Sequence, residues 1–277
     1  MHTHSMRAFL AITSAFVRRD ARIATSYKFN FAFQLTYGFF IVAAFYFIAK
    51  LTDSEVSRKL LSRYNTDYFS FILIGVAAAG LMQTALSGFA DQMRSGMTEG
   101  SLEMTFSAPV RPTWVLVLPC IWSFLFEAMK AVVVICMGVF LFGARMGQAN
   151  LVSAMAMLLA IITAYSVFGI LAASMTMVLK RSDVMNIAFS AATALIGGAF
   201  FPVELLPSWM VALSRVLPMT YAYEGLRLAL LGGATLNEIR MQLTVLIVFS
   251  IVGLPIAFSV AGAAIAKAKR DGSLGVF

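Results

Sequence analysis

The sequence predicts an all-α integral membrane fold with six transmembrane helices, and three observations predict it. Of the 277 residues, 60% are hydrophobic and only 12% charged, against roughly 45–50% and about 25% in soluble domains. Mean hydropathy is +0.86, which is more apolar surface than one water-bounded core can hide. The apolar residues also gather in runs long enough to cross a bilayer, which takes about 20 residues. This balance excludes a soluble enzyme, a disordered tail and a nucleic-acid-binding domain. The net charge of +8 does not restore the last, because the basic residues are dispersed between apolar runs and read as loop charges set against anionic headgroups.

Taken in order, residues 6–26 form an amphipathic interfacial helix. Phe9, Ile12, Phe16 and Ile23 share one face, with Arg7, Ser14, Arg18 and Arg22 opposite, so the helix lies in the interface with its arginines toward lipid phosphates. It either anchors the chain or also touches a cytoplasmic partner. The six spans follow at 29–49, 68–90, 113–142, 151–179, 184–201 and 241–265. The third and fourth exceed the membrane thickness and are expected to tilt or project. The first has no small-residue cleavage site after a short core, so it reads as a span and not as a signal peptide. No linker or internal repeat divides 1–277, which reads as one membrane domain. With an even number of spans both ends share a side, and that side carries twelve Lys and Arg residues against eight on the other. Positive charge favours the cytoplasm, which places both termini inside.

What is missing narrows the chemistry. The only histidines are His2 and His4, so no spanning histidine serves as base, metal ligand or proton relay. Cys120 and Cys136 share one predicted helix, roughly 24 Å apart at a rise of about 1.5 Å per residue, too far for a disulfide; both are expected to be buried free thiols. No Gly-Lys pair occurs, so there is no Walker loop. No catalytic constellation and no metal site is read in this chain, and it is expected not to be an enzyme.

Polar residues inside the spans carry the remaining information. Asn30, Gln34 and Tyr37 form an i, i+4, i+7 stripe on the first span, Gln83 and Ser87 an i, i+4 pair on the second, and Asn186, Ser190, Thr193 and Gly197 a stripe on the fifth. Polar groups facing hydrocarbon are costly, so these stripes face protein or water; they either line a path or bond helix to helix. Phe29, Phe31, Phe33, Tyr37, Phe39, Phe40, Phe45, Tyr46 and Phe47 surround the first span on every face. Glu127 and Lys130, i and i+3 in the third span, form an intramembrane ion pair, structural or in contact with gate or substrate. Between the second and third spans, 98–106 can form a short helix with Leu102 and Phe106 on one side and Glu99 and Glu103 on another, ended by Pro109 and Pro112. It is either a docking helix or a polar turn.

Two motifs add a resemblance. The run Glu99-Gly100-Ser101-Leu102-Glu103, followed by Ser107-Ala108-Pro109-Val110-Arg111-Pro112, resembles an element of ABC-2 type transporter permeases. Phe200-Phe201-Pro202-Val203-Glu204-Leu205-Leu206-Pro207-Ser208-Trp209, then Leu217-Pro218-Met219-Thr220-Tyr221 and Glu224-Gly225-Leu226-Arg227, is similar to a second. The sequence departs from the family's pattern at Ser101 and at Met104-Thr105, where the family often has Thr and Leu-Leu. The resemblance implies six helices per subunit, paired as a homodimer or close heterodimer, each bound to an ABC ATPase subunit (two copies in all) that carries ATP and Mg. It implies a coupling helix at 97–106, with Thr98, Glu99, Gly100, Leu102, Glu103 and Phe106 toward the ATPase, and makes 6–26 the connecting helix. It makes 203–232 a re-entrant outer hairpin. Glu204, Glu224 and Arg227 need partners if buried there, so a carboxylate–arginine pair would pin the hairpin; with Pro202, Pro207 and Tyr221 they are either structural or an outer gate. The resemblance also implies that the first, second and fifth spans line the route, in a bacterial inner membrane.

The function expected is therefore that of the permease subunit of an exporter, moving an amphipathic substrate such as a glycolipid, a lipid-linked polysaccharide or a lipid-like compound. Drug or antibiotic export is an alternative, and an ion-coupled secondary transporter is an alternative of another class.

Overall fold

A computed structural model describes residues 28–52, 61, 64, 66–98, 112–146, 148–179 and 183–270. The connecting helix at 6–26 and most of the coupling segment lie outside these residues. The elements in chain order are α1 (Lys28–Thr52), α2 (Tyr68–Thr98), α3 (Pro112–Phe142), α4 (Leu151–Leu179), α5 (Asp183–Ile196), a 3-10 turn (Val203–Leu205), α6 (Ser208–Val216), α7 (Pro218–Leu230) and α8 (Arg240–Arg270).

The ends of these helices have local causes. At the start of α2, Asp67 accepts hydrogen bonds from the Ser70 amide (3.4 Å) and hydroxyl (2.7 Å), satisfying donors that a helix N-terminus leaves open. Asn150 does the same for α4, accepting from the Ser153 amide at 3.1 Å. The second helix continues to Thr98, so residues 91–98, expected as loop, are helical. The fifth stops at Ile196, where a span to residue 201 is expected. A Schellman motif closes it: the Ala199 amide donates to Ala194 O, the Gly198 amide to Leu195 O, and Gly198 takes φ +82°. At about 1.5 Å per residue, the 14 residues of α5 reach roughly 21 Å, short of the hydrocarbon thickness.

Among the described residues, α2 over Tyr68–Asp91, α3 over Ile121–Phe142, α4 over Leu151–Leu179 and α8 over Arg240–Ala268 are each long and apolar enough to cross a membrane. Within α1, the stretch Thr36–Leu51 is apolar. The interior is organised around α4, whose Met157, Ile161, Ala164 and Tyr165 are fully buried and which packs against α2, α7 and α8. Ser250 of α8 donates to Thr163 of α4 at 3.3 Å, a polar tie of the kind that joins helices in lipid. The α2 window is 72% buried, the α3 and α8 windows only 11% and 17%, so α2 is an inner helix and α3 and α8 are outer ones.

Large apolar side chains stand exposed on that outside, among them Phe40 on α1, Phe140 on α3, Val184 on α5 and Ile251 on α8. Cys136 is a free thiol but is exposed on α3, not buried as expected; the side chain of Cys120 lies outside the described residues.

Candidate functional site

Three helices enclose a cleft of about 450 Å³ at the depth of the apolar span of α3. From α1 it takes Gln34 and Tyr37, from α2 Gln83, Thr84 and Ser87, and from α3 Glu127 and Lys130, with Ile41, Val76, Val134 and Met137 as apolar walls. The polar stripes of the first and second spans and the charged pair of the third, read separately in the sequence, thus meet in one place.

The chemistry of the cleft centres on Glu127. Its Oε2 pairs with Lys130 Nζ one helical turn on and accepts a hydrogen bond from the Thr84 hydroxyl of α2 at 2.9 Å. Gly80 makes room for the carboxylate, since a Cβ there would lie 2.6 Å from Glu127 Oε1. The lysine ammonium lies 5.6 Å from the centroid of the Phe126 ring. Its side chain is 31% exposed against 13% for Glu127, so the carboxylate is held against α2 while the ammonium is the more open end. Ser87 donates to its own helix at Gln83 O, 2.8 Å. Thr84 and Gly80 were not singled out in the sequence: Thr84 sits one residue off the Gln83–Ser87 stripe, and only the approach of α3 shows what it holds.

The polar residues of the fifth span do not join this cleft. Asn186, Ser190 and Thr193 are 6%, 8% and 4% exposed, on a helix that packs against α2, α6 and α7. Thr193 donates to Phe189 O and Ser190 O within α5. Asn30 belongs to α1 one turn before Gln34.

A second constellation lies where α6 and α7 fold back against the end of α5. Arg227, 3% exposed, donates from Nε to Phe71 O (3.1 Å), from Nη1 to Gly198 O (2.8 Å) and from Nη2 to Ala199 O (2.6 Å). Its guanidinium carbon stands 3.4 Å above the Phe71 ring centroid. These hydrogen bonds go to backbone carbonyls, two of them on the segment that leaves the α5 cap, and the carboxylates of Glu224 and Glu204 act on the arginine electrostatically as well. Gly75 permits the approach, because a Cβ there would come within 1.8 Å of Ala199 O and 2.5 Å of Nη2. Glu204, Tyr221 and Glu224 line a pocket of about 180 Å³ beside the arginine, with Pro202. Pro207 caps α6 at its N-terminus. Tyr221 donates its hydroxyl to Arg215 O at 2.9 Å and Thr220 to Ser214 O at 2.7 Å, fastening the corner between α6 and α7.

Of the residues expected to face an ATPase, Thr98 ends α2, while Glu99, Gly100, Leu102, Glu103 and Phe106 lie outside the described residues. Among the described residues no group of three His, Cys, Asp or Glu side chains could hold a metal ion.

A family model described as "ABC-2 type transporter" matches residues 7–231, from the segment before α1 to the turn after α7. The chain belongs to the ABC-2 type transporter family. No curated protein matches it. As an ABC-2 chain with several helices able to cross a membrane, it is a multi-pass membrane protein and a permease subunit of an ABC transporter, the membrane component and not the ATPase. Membership implies a partner ATPase subunit.

Proposed function

We infer that this ABC-2 permease is half of an exporter that moves an amphipathic substrate of the glycolipid, lipid-linked polysaccharide or lipid-like class, driven by ATP and Mg on two copies of the partner ATPase. The observation that carries this reading is the cleft between α1, α2 and α3. It combines apolar walls with amide, hydroxyl and paired charged groups along the apolar stretch of α3, and such a lining suits a molecule with both an apolar and a polar part. Six crossings are proposed, with α1 and α5 spanning beside the four long helices, both termini in the cytoplasm and the protein in a bacterial inner membrane. The segment 203–232 would be re-entrant near the outer face, with the Arg227 junction as its hinge. The segment 97–106 would couple to the ATPase, and a second copy of the chain would complete the route. Asn186, Ser190 and Thr193 are read as helix contacts beside α2 in this subunit.

The test is a mild-detergent purification of the tagged chain from its native host, with mass spectrometry of what stays bound. A stoichiometric ATPase with Walker motifs is expected, and the reconstituted complex should hydrolyse ATP faster with its substrate. A chain that comes down without any ATPase, its dimer intact, would overturn the reading and move ion-coupled transport to first place.

A further inference from the structure

Among the described residues the cleft contains one carboxylate and one ammonium, and they are paired. Its lining therefore has no net charge, although it lies within the apolar stretch of α3 where an unpaired charge is costly. The pair is asymmetric. Glu127 is fixed to α2 by the Thr84 hydroxyl at 2.9 Å and lies over Gly80, whereas Lys130 is the more exposed end. An anionic headgroup entering the cleft would be drawn to Lys130 but would bring its charge up to Glu127 as well, in surroundings that screen poorly. It could reach the lysine only by sharing the ammonium with Glu127, which sets two anions side by side, or by displacing that carboxylate, which leaves it without its countercharge. The other polar lining is the amides of Gln34 and Gln83 and the hydroxyls of Tyr37, Thr84 and Ser87, of which Thr84 donates to Glu127 and Ser87 to Gln83 O. These groups both donate and accept hydrogen bonds, and so match hydroxyl groups without needing charge.

We propose that the Glu127–Lys130 pair is a charge filter: the cleft takes an amphiphile whose headgroup is uncharged and hydroxyl-rich, and it turns away the anionic headgroup that a lone lysine would attract. This rests on the cleft being where substrate binds, as inferred above. Glu127 is then the specificity-determining residue, because it cancels Lys130, and Thr84 and Gly80 position it.

The experiment uses the purified full chain without any ATPase, so its outcome is independent of the coupling test. Two photoactivatable lipids with the same acyl chains, one sugar-headed and uncharged, the other phosphoglycerol-headed and anionic, are crosslinked to the protein. Labelling is then mapped to peptides of the cleft wall around Tyr37, Val76 and Met137. In the wild type, cleft labelling should favour the sugar-headed lipid by about tenfold, the scale of a single partly screened charge contact. Glu127→Gln should raise anionic-lipid labelling at the cleft by about tenfold. The double variant E127Q/K130Q, with no charge at either position, should return it to the wild-type level. Equal labelling by both lipids in the wild type would overturn the proposal whether or not the variants fold. So would an unchanged order in a folded E127Q protein, or a double variant that keeps the raised anionic labelling.

Discussion

At the scale of single residues, two side chains carry most of the consequence. Arg227 satisfies three backbone carbonyls at once, on α2 and on the segment after α5. Arg227→Met would leave those acceptors buried without their donor, at a cost of about 3 kcal/mol or more. The expected result is a markedly lower unfolding midpoint in detergent. Gly75→Ala should act on the same junction, since its new Cβ meets both Ala199 O and the guanidinium. The double variant should therefore lose less than the sum of the single losses; strict additivity of the two midpoint shifts would show that the residues do not share one junction. In the cleft, Gln34→Leu should cut transport by the reconstituted complex several-fold while its assembly, followed by size-exclusion chromatography, stays intact. Unchanged transport would remove Gln34 from the substrate path.

At the scale of elements, the helix ends are the informative places. Gly198 adopts φ +82° in the cap of α5, and its missing Cβ also avoids Val203 at 2.6 Å. Gly198→Ala is expected to cost about 1–2 kcal/mol from backbone strain, more with the clash, and to raise amide exchange at Ala199, whose donor closes the cap. Ahead of α8, Glu238 Oε2 accepts from the Thr235 amide at 2.6 Å and its hydroxyl at 2.9 Å. These bonds hold its carboxyl below the ordinary carboxylate range. A depressed pKa stabilises the folded turn at pH values above the ordinary one, and that contribution is lost as pH falls through the lowered value. Hydrogen exchange at Thr235 should thus accelerate on acidification relative to Ile239, and Glu238→Gln should remove most of that pH dependence. Caps of this kind are only partly legible. Asp67, Asn150 and the Gly197-Gly198 pair are residues of capping type, yet hydropathy carried the fifth span past its glycines to residue 201, because apolar residues follow them.

At the scale of the whole molecule, exposed apolar side chains on α1, α3, α5 and α8 require lipid or a second copy around the bundle. The excess of basic residues beside the termini predicts that both are cytoplasmic. A cysteine added at either end should be labelled by a membrane-impermeant reagent only in inverted vesicles or after lysis, whereas labelling from the periplasmic side of intact cells would reverse the orientation. Family membership agrees with the motifs at 99–112 and 200–227, since the family match covers both.

The sequence by itself determined the class of molecule and the faces of its helices. Composition and run length require lipid-facing helices, and a period of 3.6 residues places Gln34 with Tyr37, Gln83 with Ser87, and Glu127 with Lys130. Only the tertiary structure decided which faces meet. It brought those three helices into one cleft, set Thr84 on Glu127, and left the stripe of α5 buried elsewhere. It also sent the hydrogen bonds of Arg227 to carbonyls 28 and 156 positions away, partners that no local pattern announces. Helical periodicity is a local property of the chain and fixes which residues share a face. The neighbour of that face depends on close packing across the bundle, where single glycines such as Gly75 and Gly80 govern how near two helices can come.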